Sequence, residues 1–152
     1  MAIQHVSLYG VWVNDIDEAK DFYIDKLGFE LREDVTMGDY RWLTVGQPDQ
    51  PDLKLNLQIP GPPLDEESAG FIKRMMAKGS YGAGGLAVDD CRKTYEELTA
   101  KGVEFVSEPA DRPYGVEAVM RDNSGNWWVL LEEKPYTGED FGPDDVVTKA
   151  AQ

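Results

Sequence analysis

Histidine and cysteine are almost absent from this chain: His5 and Cys91 are the sole residues of their types among 152. A single cysteine forms no internal disulfide, so a disulfide-stapled fold is excluded and a reducing compartment is compatible. With no second histidine to activate Cys91, a nucleophilic triad is not expected. Positive charge is also scarce. Fifteen Lys and Arg face 29 Asp and Glu, for a formal charge of -14. Nucleic-acid affinity comes largely from Lys and Arg neutralising phosphates, so this balance argues against a nucleic-acid partner and disfavours an anionic membrane surface. The acidity suits a cationic ligand, but solubility is its commoner purpose. No run of eighteen apolar residues exists, and the opening MAIQHVSLYG lacks a basic start followed by an apolar stretch. The expectation is a soluble cytoplasmic protein without a membrane or nucleic-acid partner.

What is present is an internal repeat. V-N-D-I-D-E-A-K-D-F-Y-I-D-K-L-G-F-E-L from Val13 answers V-D-D-C-R-K-T-Y-E-E-L-T-A-K-G-V-E-F from Val88. Each copy reads strand, helix, strand. Asp15 and Glu18 form a D-x-x-E capping pair, and Ile16, Ala19, Phe22, Tyr23 and Leu27 recur at helical spacing before Gly28. In the second copy Asp90 caps, Cys91, Tyr95 and Leu98 form the apolar stripe, and Gly102 closes the helix. Phe29 to Val35 and Val103 to Val106 then read as β-runs. RWLTVGQPDQPDLKLNLQ in the first half and VEAVMRDNSGNWWVLLE in the second each give two strands around a turn, N-S-G-N being a hairpin signal.

The fold class read from this is α+β, with two βαβββ modules. Module one spans about 3–60 and module two about 80–133, within one domain of residues 1–133. Pro60 to Pro63 make a rigid linker, and a helix over 64–79, stopped by Gly79, joins the modules as a connector rather than a lid. Residues 134–152 read as an acidic, flexible tail, because Gly, Pro and Asp replace apolar periodicity there.

Two motifs, D-I-D-E-A-K-D-F-Y-I-D-K-L-G-F and R-D-N-S-G-N-W-W, with V-D-D between them, resemble the vicinal-oxygen-chelate superfamily of glyoxalases, extradiol ring-cleaving dioxygenases and bleomycin-resistance proteins. The resemblance covers residues 3–133 and implies curled mixed sheets enclosing a cavity, with helices on the outer face, and a homodimer. In metal-using members His, Glu or Gln from strands of both modules hold a divalent cation that acts as a Lewis acid. By the family's spacing, the ligand positions implied here are Leu8, Leu55, Ala83 and Val129, none of which binds metal. Asn56 and Gln58 are the nearby amides. The resemblance therefore points to a metal-ligand-depleted member that needs no cofactor.

His5 complicates this reading. Val6 and Leu8 share one strand parity and Val11 and Val13 the other, so a bulge near Tyr9 and Gly10 is expected to reset the register. His5, Ser7 and Tyr9 would then face the cavity above Trp12. Three roles stay open for His5: metal ligand, acid/base or binding group, and structural residue, the last being commonest for a lone imidazole.

The strands carry Tyr9, Trp12, Tyr40, Trp42, Trp127 and Trp128. Alternation puts Trp127 and Trp128 on opposite faces, and Trp127 shares parity with Val129, so Trp127 is assigned to the cavity and Trp128 to a helix or interface. Aromatic residues on strands are most often core. A cavity lined with Trp and Tyr nonetheless suits flat or cationic organic ligands. In A-D-R-P-Y-G-V-E, Arg112 could clamp an anion, Tyr114 could close over it and Glu117 could act as an acid or base, although Pro-Tyr-Gly is also an ordinary turn.

The candidate ligand-binding set is therefore His5, Tyr9, Trp12, Trp42, Leu55, Arg112, Tyr114, Trp127 and Val129, with His5 and Glu117 as candidate catalytic groups and no metal ligand. The function expected is metal-independent binding or sequestration of a small aromatic or cationic organic molecule. Two alternatives stand beside it: a lyase, isomerase or dioxygenase with a noncanonical Zn, Ni, Mn or Fe site around His5, and a non-catalytic dimer module.

Overall fold

An aspartate starts each α-helix among residues 1–145, the part of the chain that the computed structural model describes. Asp15 accepts from the Glu18 amide at 2.9 Å and opens α1, Ile16–Asp21. Asp65 accepts from the Ser68 amide at 2.7 Å and opens α2, Glu66–Ala77. Asp90 accepts from the Lys93 amide at 3.0 Å and opens α3, Cys91–Ala100. Each carboxylate satisfies an amide that the first turn leaves without a partner. A π-helical turn, Phe22–Lys26, continues α1.

Among the described residues, eight strands form two sheets. The first contains β1 (Leu8–Trp12), β2 (Glu30–Met37), β3 (Tyr40–Gly46) and β4 (Lys54–Gln58), in the order β1-β4-β3-β2. The second contains β5 (Gly82–Ala87), β6 (Phe105–Arg112), β7 (Gly115–Arg121) and β8 (Trp127–Glu133), in the order β5-β8-β7-β6. Strand β1 pairs parallel to β4, while β2 with β3 and β3 with β4 are antiparallel. Each module thus has the order β-α-β-β-β in an α+β architecture of two mixed four-stranded sheets, neither closed into a barrel. Helix α2 connects the modules in sequence. None of the described helices is long and apolar enough to cross a membrane.

The chain divides into two compact units, one of residues 1–83 with 121–127 and the other of 84–120 with residues from 128 onward. The turn between β7 and β8 is thus packed into the first unit, although the sequence repeat assigns it to the second module. In the first unit, Val11, Leu43, Val45, Leu55 and Leu57 form the apolar face of the first sheet. Helix α1 lies on this face: Arg41, which shares its parity, binds Asp17 at 2.8 Å, and Asp34 binds Lys20 at 3.3 Å. Tyr23 is fully buried, with Phe22 and Phe29 edge-on to it at 5.7 Å. Burying a side chain of this size contributes about 1.5–3 kcal/mol. The core of the second unit contains Cys91, Leu98, Val103, Ala118, Met120, Trp128 and Leu130.

Candidate functional site

The alternation Lys54-Leu55-Asn56-Leu57-Gln58 decides what the first sheet presents. Leu55 and Leu57 are buried in the apolar face, so Lys54, Asn56 and Gln58 point the other way. Register carries that second face across the sheet, because Gly10 pairs with Asn56, Asn56 with Thr44, and Thr44 with Glu33. Trp12, Trp42, Val35 and Tyr40 share it by parity.

At its centre is a polar network. Glu33 accepts from Lys54 Nζ at 2.6 Å and from Thr44 Oγ1 at 3.2 Å. The Lys54 ammonium, first, and the Trp42 indole hold the Glu33 carboxyl below its ordinary pKa against a smaller opposing effect of desolvation. Beside it Asn56 Nδ2 donates to Gln58 Oε1 at 3.0 Å. Thr44 and Asn56 are buried, while Leu8, Val35, Met37 and Tyr40 are exposed. The result is a polar centre inside an apolar and aromatic rim.

Of the residues singled out from sequence, Trp12 and Trp42 lie on this face. Leu55 does not: it is a core residue, because the period of two turns it away from Asn56. Tyr9 also lies on the opposite parity, paired with Leu55, and its hydroxyl donates to the Ala83 carbonyl. The expected bulge is absent. Strand β1 runs from Leu8 to Trp12 in unbroken register with β4, and the parity mismatch arises because Val6 precedes the strand. With no register reset, His5 stands exposed ahead of β1. In β8 the exposed Trp127 and half-buried Val129 alternate with the buried Trp128 and Leu130. The Trp127 ring lies against Gly82, leaving no room for a side chain there.

Sequence reasoning missed Glu33, Thr44 and Lys54, and treated Asn56 only as a weak metal ligand. The K-L-N-L-Q alternation contained the signal for Lys54 and Asn56. Glu33 carried none, since a bulge between Leu31 and Glu33 sets its face.

The D-N-S-G-N turn has a structural task within the first unit. Asp122 Oδ1 accepts from the amides of Ser124 at 2.9 Å and Asn126 at 3.0 Å, and Oδ2 accepts from Asn126 Nδ2 at 2.9 Å. Asn126 Nδ2 also donates to the Trp12 carbonyl at 2.7 Å, and Ser124 Oγ accepts from the Asn14 amide at 2.9 Å. Gly125, at φ +96, sits too close to the Met76 carbonyl for any side chain. The turn fixes the end of β1, where Trp12 is placed.

In the second unit Arg112 is exposed at the end of β6, and Tyr114 donates to Glu117 Oε2 at 2.6 Å. Burial first, then this carboxylate, pushes the Tyr114 hydroxyl up to about 12. Tyr136 and Phe141, from the segment expected to be loose, pack on Tyr114 at ring distances of 6.4 and 5.9 Å. Residues 146–152 of that tail lie outside the described residues. An open depression of about 360 Å³ lies nearby, lined by Pro113, Lys134, Pro135 and Asp140. It lacks the aromatic lining that favours organic ligands.

Among the described residues, no group of three or more His, Cys, Asp or Glu could hold a metal ion. Leu8, Leu55, Ala83 and Val129 offer no side-chain donor at the positions the resemblance implied, so these residues do not fit a chelated divalent cation.

Comparison with known proteins is consistent with this scaffold. Residues 2–130 match the Glyoxalase/Bleomycin resistance protein/Dioxygenase superfamily. YurT of Bacillus subtilis (strain 168) is 38% identical over 81% of this chain and 94% of its own length. The crystal structure of UcmS2 is similar at a TM-score of 0.81, with 47% identity over 86% of this chain and 99% of that one. TnmS3, an antibiotic binding protein from Streptomyces sp. CB03234, is similar at a TM-score of 0.71, with 31% identity over 88% of this chain and 99% of that one. The chain therefore belongs to the Glyoxalase/Bleomycin resistance protein/Dioxygenase superfamily.

Proposed function

We propose that this protein binds and sequesters a small, flat organic molecule on the polar face of its first sheet, without a metal ion and without catalysis. The observation that carries the reading is the juxtaposition of Trp42 with the Glu33, Lys54 and Thr44 network, inside a rim of Leu8, Val35 and Tyr40. Aromatic rings supply stacking area, and a few fixed polar groups set orientation. Similarity to TnmS3, described as an antibiotic binding protein, supports a small organic ligand. The missing donor side chains at the expected chelate positions support metal independence.

Tryptophan quenching against a library of flat aromatic and cationic antibiotics tests the proposal. At least one compound is expected to bind, and Trp42→Ala is expected to weaken it about tenfold or more, the scale of one lost stacking contact. Silence across the library would sink the reading. Metal titration checks the rest: one tightly held Zn, Ni, Mn or Fe ion per chain would overturn metal independence. We include a homodimer in the proposal, as the superfamily resemblance implies; light scattering giving the mass of one chain would remove it.

A further inference from the structure

Asn56 Oδ1 is buried and has no hydrogen-bond partner. Asn56 itself is only 4% exposed. A buried acceptor left unmade is costly, and such groups in folded proteins call for a physical reason. The other polar atoms around it are engaged: Asn56 Nδ2 with Gln58 Oε1, Thr44 Oγ1 with Glu33, and Lys54 Nζ with Glu33. Of the buried side-chain atoms without hydrogen-bond partners among the described residues, Asn56 Oδ1 is the acceptor on this face; Arg32 Nε, packed against Gly46, is a donor that lies 3.0 Å from the Glu30 carboxylate. Asn56 sits in the central row, between Gly10 on one side and Thr44 on the other.

Gln58 is the movable part of this arrangement. It is half-buried, and its Nε2 lies 2.8 Å from where a Cβ on Gly10 would stand, so it occupies space that the glycine leaves free. Displacing the Gln58 side chain breaks the one hydrogen bond that it accepts from Asn56 Nδ2. Charge on the same face is already balanced, because the Lys54 ammonium is paired with the Glu33 carboxylate and the Arg32 guanidinium, packed against Gly46, with Glu30. A cationic or anionic ligand would need to compete with those pairs, whereas a neutral one would not.

We infer that the ligand is an uncharged flat molecule with a hydroxyl or N–H donor on its edge, and that Asn56 Oδ1 is the specificity-determining acceptor for that donor, reached when Gln58 swings aside. This rests on the sequestration reading and deepens it by assigning the ligand's polarity. A site built to accept a donor discriminates against an analogue lacking it, because the acceptor is then left unpaired.

Two matched neutral probes test this by equilibrium dialysis: β-naphthol, which carries the donor, and its methyl ether, which does not. The wild-type protein is expected to bind naphthol about tenfold tighter, the scale of one buried hydrogen bond. Asn56→Leu should abolish the preference by weakening naphthol alone, while Asn56→Asp, which keeps an acceptor, should retain it. Equal affinities in the wild type, or a preference that persists in Asn56→Leu, would overturn the inference while leaving sequestration intact. Binding of neither probe by the wild type would overturn the inference, while the sequestration reading stands or falls on the antibiotic library. If Asn56→Leu does not fold, the wild-type ratio remains the deciding measurement.

Discussion

Tyr23 donates its hydroxyl to Asp122 Oδ2 at 2.7 Å, tying the π-helical turn after α1 to the D-N-S-G-N turn 99 residues later in the chain. Both residues are buried within the first unit, and the same carboxylate orients Asn126 toward the Trp12 carbonyl. This bond explains why an aspartate and a tyrosine so distant in sequence both serve the placement of Trp12.

Asp122→Ala leaves the Ser124 and Asn126 amides and the Tyr23 hydroxyl without that acceptor, so a loss of about 3 kcal/mol or more is expected. Tyr23→Phe removes one donor and should cost about 1–2 kcal/mol. Urea unfolding followed by circular dichroism measures both; a Tyr23→Phe loss larger than that of Asp122→Ala would contradict this ranking.

Glu33→Gln removes the negative partner of Lys54 but keeps an oxygen for the Thr44 hydroxyl. The freed ammonium should draw anions, so affinity for naphthalene sulfonate is expected to rise severalfold at low salt and to fall back as salt screens it. Dialysis at two ionic strengths checks this. Unchanged binding of the anion would mean that Lys54 does not face the ligand.

Tyr114 should ionise near pH 12 rather than in the ordinary phenol range. Its folded-state value is raised, so the associated stability is present below about pH 10, the unfolded value, and is lost as pH rises through about 12. Alkaline difference absorbance should show one late-titrating tyrosine that disappears in Tyr114→Phe, and Glu117→Gln should bring the midpoint down. A late component that survives in Tyr114→Phe belongs to another residue.

Asp34 is held down to about 2, first by its hydrogen bond from Arg41 and then, past the opposing desolvation, by Lys20. Its folded value is depressed, so its stabilisation is complete above about pH 4, the unfolded value, and is lost as pH falls toward 2. Because these side chains are about a quarter exposed, Arg41→Met should cost no more than about 1 kcal/mol at neutral pH. The wild-type advantage over that variant should narrow between pH 4 and 2 in acid unfolding, and a constant gap would assign the loss to packing.

Much of the framework was legible because local rules set it. The caps at Asp15 and Asp90, the Gly79 stop and the N-S-G-N turn are decided within a few residues, where one carboxylate meets the next turn's amides or one glycine permits the bend. The alternation of Trp127 and Trp128 is similarly a property of any strand. Val6 shows where such reasoning ends. Its parity suggested a bulge, but the strand begins only at Leu8, and a strand's start is set by its partner β4 rather than by its own residues.

The sequence by itself determined two βαβββ modules, their helix boundaries, and the lack of chelating side chains where the superfamily resemblance implies them. Tertiary structure alone decided that Glu33, Trp42, Thr44 and Lys54 converge, that Leu55 is core while Asn56 is not, and that the D-N-S-G-N turn fixes the end of β1. The physical reason is range: capping and turn energies act over a few residues, whereas a site on a sheet face is assembled by cross-strand register, where a shift of one residue reverses which side chains meet.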